Sequence, residues 1–180
     1  MKAALEFHRA LFLAYGHPIA ERRIHLSSNY AKVLVISGKQ VDSFKLVTQL
    51  VTYIFTKEDN LPVDYFAVYN IDKISVAKTM HVLNQILKTV GGILLKSKHE
   101  EIWKLFDDLI NALEQSKDSE VTATLSWCKA IKAMQNNDDI TFLNNALCFF
   151  QNEKSLLPSA KKHLLTMLNT NFVSSKQRSI

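Results

Sequence analysis

Between residues 98 and 116 the apolar positions Ile102, Phe106, Leu109, Ile110 and Leu113 recur at helical spacing, and Lys98, Lys104, Asp107, Asp108, Asn111 and Glu114 fill the gaps. Wound at 3.6 residues per turn, this pattern gives one apolar stripe and one charged face. Ser97, three residues before Glu100, predicts a reciprocal capping box at the start. A second helix is expected over 75–90, with Ser75 as its cap and Val76, Met80, Leu83, Leu87 and Val90 as its stripe. Val82 and Ile86 widen that stripe toward two neighbours, and Gly91 supplies a left-handed stop. Residues 43–57 follow Asp42 and place Phe44, Val47, Leu50, Val51 and Ile54 on one side. The β-branched residues in that segment lower its intrinsic helix propensity.

The C-terminal third predicts three more helices. Ser119 opens 120–135, Asp138 or Asp139 opens 140–151, and Pro158, tolerated in a first turn, opens 158–169. Residues 121–134 are apolar on most sides, which puts that helix in the middle of the core or at an interface. On 140–151, Ile140, Leu143, Leu147 and Phe150 already make one stripe, so Phe142 and Phe149 require a second burial surface. Either other helices of the chain supply it or a partner does, and Trp127, Phe142 and Phe149 are the candidate partner-binding residues.

The first third is ambiguous. Residues 2–15 predict a helix ended by Gly16, and 18–37 a second one with Ile19, Leu26, Tyr30, Val33 and Leu34 inward and Gly38 as its stop. A hairpin over 23–27 and 32–37 competes, because Val33, Leu34, Val35 and Ile36 form a β-type run. Residues 58–74, around Pro62, are the least regular connection. The expected architecture is all-α: one compact multi-helix bundle or short helical-hairpin array of seven to nine helices, with a small N-terminal hairpin as the alternative. It is expected to occupy residues 1–172 as a single domain, with 173–180 as a flexible polar tail.

Composition supports this pattern. The chain of 180 residues is 47% apolar and 22% charged, ordinary for a folded protein. It has only four glycines and three prolines, where average usage gives about 13 and 9. Folds rich in tight turns and phosphate loops use far more. Ala146, Phe150 and Pro158 lie at offsets that resemble the second half of a tetratricopeptide-type hairpin, but the first-helix positions do not match and there is no second copy.

Charge raises a further class of partner. The net charge of +5 is split unevenly, with net +3 over residues 1–60, −2 over 61–120 and +4 over 121–180. Lysine outnumbers arginine 18 to 4, and no basic run exceeds two residues. Arginine is the residue suited to bidentate phosphate contacts, so the basic excess reads first as a solvated surface. Lys129, Lys132, Lys161 and Lys162 could still line one side of the C-terminal helices toward nucleic acid, and His81 and Lys88 share the helix over 75–90.

Catalytic and metal chemistry find little support. Gly91 and Gly92 end a predicted helix rather than begin one, the wrong polarity for a phosphate cradle. The six histidines are scattered, and Cys128 and Cys148 lie twenty residues apart on apolar segments, where cysteine behaves as a small hydrophobe. The pairs Glu100 with Glu101 and Asp107 with Asp108 diverge on a helix. No cofactor, metal or catalytic residue is therefore assigned. Glu6, His8 and Arg9 interrupt the N-terminal apolar stretch, against a signal peptide. The two cysteines are too few for a secreted disulfide framework, so an intracellular, cytoplasmic setting is expected, with unconventional delivery into a host leaving no mark in the sequence.

The functional expectation is a non-catalytic module, an adaptor or complex subunit, that binds another protein or itself through apolar helix faces. A basic helical regulator associated with nucleic acid is the alternative. An enzyme whose site assembles from distant residues such as His8, His25 or His99 comes third.

Overall fold

In the computed structural model the described residues are Lys2, Glu6, 20–56, 76–95, 97–116, 121–154 and 157–177. Seven α-helices contain most of them: α1 (Ala20–Ile36), α2 (Gln40–Thr56), α3 (Val76–Leu94), α4 (Glu100–Gln115), α5 (Val121–Gln135), α6 (Asp139–Asn152) and α7 (Pro158–Gln177). The described residues contain no strand. α1 runs through the span for which helix and hairpin compete in the sequence. The helix expected over 2–15, apart from Lys2 and Glu6, and the connection over 58–74 lie outside the described residues.

Two turns between consecutive helices share one mechanism. After α1, Gly38 adopts φ 79°, and the amides of Gly38 and Lys39 donate to the carbonyls of Val35 and Leu34 at 3.0 and 2.9 Å. After α5, Asn137 adopts φ 57°, and the amides of Asn137 and Asp138 donate to Met134 and Ala133 at 3.1 and 2.9 Å. Both are left-handed caps that satisfy the last carbonyls of a helix, one using glycine and the other asparagine, the two residues that adopt this conformation most readily. Asp138 then caps α6, its carboxylate accepting from the Thr141 amide at 3.0 Å. Hydrogen bonds from Thr141 hold that carboxyl below the ordinary aspartate range.

α2 lies against α1, α3 and α4. Phe44, Val47, Leu50, Val51 and Ile54, the side assigned from the sequence, are buried together with Leu46 and Phe55. Burying side chains of this size contributes roughly 1.5–3 kcal/mol each, which overrides the weak helix propensity of the β-branched residues. Ser43 donates from Oγ to the Ala31 carbonyl of α1 at 2.8 Å. At one end of the α2–α4 contact Lys45 pairs with Glu101 at 2.8 Å. At the other, Ser116 Oγ donates to the Phe55 carbonyl at 3.0 Å. The two helices therefore run parallel, and the Phe44 and Phe106 rings meet edge to face between them at 6.3 Å.

α4 buries Ile102, Phe106, Leu109, Ile110 and Leu113, the whole of the predicted stripe. Its start differs from expectation. His99 is the N-cap, with no side-chain cap bond, and Ser97 Oγ accepts from the His99 amide at 3.2 Å. The helix begins two residues too late for Ser97 and Glu100 to close a capping box. α3 also departs from the sequence reading, since it continues through Gly91 and Gly92 to Leu94 and buries Ile93 and Leu94 as a further turn of its stripe. Gly91 is not a stop but a point of contact. A Cβ there would lie 2.7 Å from Nδ1 of His163 on α7.

α5 lies among α4, α6 and α7. Val121, Trp127, Cys128, Ala130 and Ile131 are among its buried residues, which places it in the core, as its near-continuous apolar character requires. α7 packs on α3 and α5 and continues past residue 169 to Gln177, through part of the polar stretch from Val173 expected to fray. No glycine or proline follows Pro158 to break it.

Candidate functional site

The candidate site is the outer face of α6. This helix carries one charged residue, Asp139 at its start, and is otherwise apolar or neutral. Among the described helices its extensive contact is with α5 alone. Phe142, Ala146 and Phe149 form the buried side and lie against a helix whose buried positions include Ala123, Thr124, Ser126, Ala130 and Ala133. Small residues let two backbones approach closely, so the aromatic rings fill the space between them. Ser126 Oγ adds a hydrogen bond to Cys148 Sγ at 3.1 Å across the pair.

This orientation inverts the one expected from the sequence. Ile140 is 75% exposed, Leu147 58% and Leu143 41%, although these residues were assigned to the core stripe. Spacings of three and four residues align them along one side of the helix. Trp127, Phe142 and Phe149, the candidate partner contacts, lie in the interior of this chain. They have almost no accessible surface to offer, because the second burial surface they require is supplied by neighbouring helices. Phe150 sits half-buried beside Phe149, the rings meeting edge to face at 5.4 Å. The apolar residues left for a partner are the three aliphatic ones.

The lysines proposed for nucleic acid are mostly engaged. Lys129 pairs with Glu114 at 2.7 Å and Lys132 with Asp107 at 2.9 Å, and Lys132 also stands over the Trp103 ring at 5.7 Å. Lys161 lies 3.9 Å from Glu153. Lys162 makes no ion pair among the described residues. Three of the chain's ion pairs join an acid of residues 61–120 to a lysine before or after that segment: Glu101 with Lys45, Glu114 with Lys129 and Asp107 with Lys132.

Cys128 and Cys148 are free, and complete burial pushes the Cys128 thiol far above its ordinary range, against use as a nucleophile. His99 is exposed and serves as a helix N-cap. The placement of His8 and of the side chains of His25 and His81 lies outside the described residues. Among the described residues no group of three or more histidine, cysteine or acidic side chains could hold a metal ion. No described helix is long and apolar enough to cross a membrane. The chain matches no protein-family model, no curated protein and no solved structure.

Proposed function

We propose that this chain is a non-catalytic protein-binding module that takes an amphipathic helix of a partner along the outer face of α6. The observation that carries this reading is the line of exposed Ile140, Leu143 and Leu147 on a helix whose extensive contact, among the described helices, is with α5 alone. Apolar side chains spaced in this way are the anchors by which helices pack into one another's grooves. Burial of three such residues supplies association free energy at roughly 25 cal/mol per Å² of apolar surface removed from water. Thr141, Asn144 and Gln151 are exposed on its flanks, and Asp139, beside Ile140, is the one charged residue of the helix.

The test compares the tagged wild-type protein with the double variant Ile140→Asp, Leu147→Asp in capture from native lysate, with and without nuclease. The expected result is a stoichiometric protein that survives nuclease with the wild type and is lost with a variant of unchanged circular dichroism and melting temperature. The same captured proteins from both chains would overturn the assignment of this face. Capture abolished by nuclease would replace the reading with the nucleic-acid one.

A further inference from the structure

The helices α3 and α7 separate along part of their contact to leave a cleft of about 540 Å³, within the size range of small-molecule sites. Leu87, Gly91, Gly92 and Leu95 form one wall, and Pro158, His163 and Thr166 are on the other. It shares no lining residue with the α6 face. Lys88 enters from α3 and Lys162 from α7. Both are exposed, neither makes an ion pair among the described residues, and none of the described residues lining the cleft is acidic. Among the described residues the charge at its rim is therefore positive, while Leu95 and Pro158 expose apolar surface to it.

Two observations within the wall show unmet demands. The first is His163. Its ring lies tilted against the Trp127 indole, with centroids 5.7 Å apart and 47° between the planes, and neither of its buried ring nitrogens has a hydrogen-bond partner among the described residues. Buried polar atoms are paired in the great majority of cases, and an orphan is expected to have a cause. The second is Gly92. A glycine inside a helix costs about 1 kcal/mol relative to alanine. Gly91 has a reason within the fold, the close approach of His163. Gly92 has none, since a Cβ built there would meet nothing within 4 Å. What its missing side chain leaves open is the cleft.

We propose that this cleft is a binding site for a small amphipathic anion, a carboxylate with a hydrocarbon body, whose head lies between Lys88 and Lys162 and whose body lies along Gly92, Leu95 and Pro158. An anionic head supplies a counter-charge that the two lysines lack among the described residues. The hydrocarbon covers Leu95, which is 58% exposed.

The probe is decanoate, titrated into the full chain carrying Trp103→Phe so that Trp127 is the one tryptophan reporting. Decyltrimethylammonium serves as the same hydrocarbon with the opposite charge. The expected result is saturable one-to-one binding of decanoate with a change in Trp127 emission, and binding of the cation at least tenfold weaker. Gly92→Leu, whose Cβ would meet nothing within 4 Å, projects a side chain into the open space and should weaken decanoate at least tenfold while the melting temperature does not fall. Lys88→Gln with Lys162→Gln, at two exposed positions, should do the same and serves if Gly92→Leu does not fold. Absence of saturable binding, equal affinity for the two amphiphiles, or wild-type affinity in a folded Gly92→Leu or the double lysine variant would overturn the proposal.

Discussion

The backbone amide of Ser159 donates to Oδ1 of Asn84 at 2.8 Å, across 75 residues of sequence. Ser159 is the second residue of α7, so a first-turn N–H, which no carbonyl of its own helix can satisfy, is capped by a side chain of α3. One residue before the helix, the Leu157 amide donates to Oε1 of the buried Glu153 at 2.8 Å. Asn84→Ala removes the cross-helix cap from a buried position. It should lower the free energy of unfolding by about 1–2 kcal/mol, measured by urea denaturation, with little change in the slope.

The adjacent glycines of α3 should respond in opposite directions to the same substitution. Gly91→Ala puts a Cβ 2.7 Å from His163 Nδ1 and 3.3 Å from the Trp127 ring, so α7 must shift and the melting temperature should fall. Gly92→Ala meets nothing and gains helix propensity, so it should raise stability by about 1 kcal/mol. Thermal unfolding of the two single variants decides both.

Stability should depend on pH through His163. Burial lowers its pKa from the ordinary value near 6.5. Gly91 and Trp127 face the ring, and the described charged groups in its cleft are Lys88 and Lys162, so among the described residues no acid lines that cleft to stabilise the imidazolium. The unfolded chain then takes up the proton more readily than the folded one. This contribution to stability is complete above pH of about 6.5 and is lost as the pH falls from there through the folded value. Urea midpoints measured from pH 8 to 5 should decline less steeply in His163→Leu than in the wild type.

The two sides of α6 should separate cleanly under mutation. Phe149→Ala empties a fully buried site and should cost about 3–5 kcal/mol. Ile140→Asp, at a residue 75% exposed, should change stability by no more than about 0.5 kcal/mol. Chemical denaturation of these variants would show which face the fold depends on.

How far the sequence can be read depends on how many surfaces each helix uses. α4 carries a single apolar stripe, and all five of its buried residues follow from spacing alone. α6 carries two overlapping apolar arcs, Ile140, Leu143 and Leu147 on one side and Phe142, Ala146 and Phe149 on the other. Periodicity cannot choose between them, because the choice is made by the small residues of α5 that admit aromatic rings. Gly91 misleads for a related reason. As a local signal it ends a helix, yet the demand it meets comes from His163, 72 positions later in the chain. Asn137 does on α5 what glycine does on α1, and nothing in its local spacing distinguishes it from Asn136. The cleft residues His163 and Gly92 carry no motif, so only the meeting of α3 and α7 brings them together.

The β-branched composition of α2 has a consequence for the order of folding. This segment lies against three other helices, yet as a free peptide it would have little reason to be helical, whereas residues 100–115 combine a clean stripe with charged positions that favour a helix in water. The interior helix is therefore one that acquires its shape from its surroundings. In a folding transition state, α2 should gain structure only as it docks against α4 and α1, so Val47→Ala and Val51→Ala should slow folding in step with whatever contacts of α2 the transition state has already made.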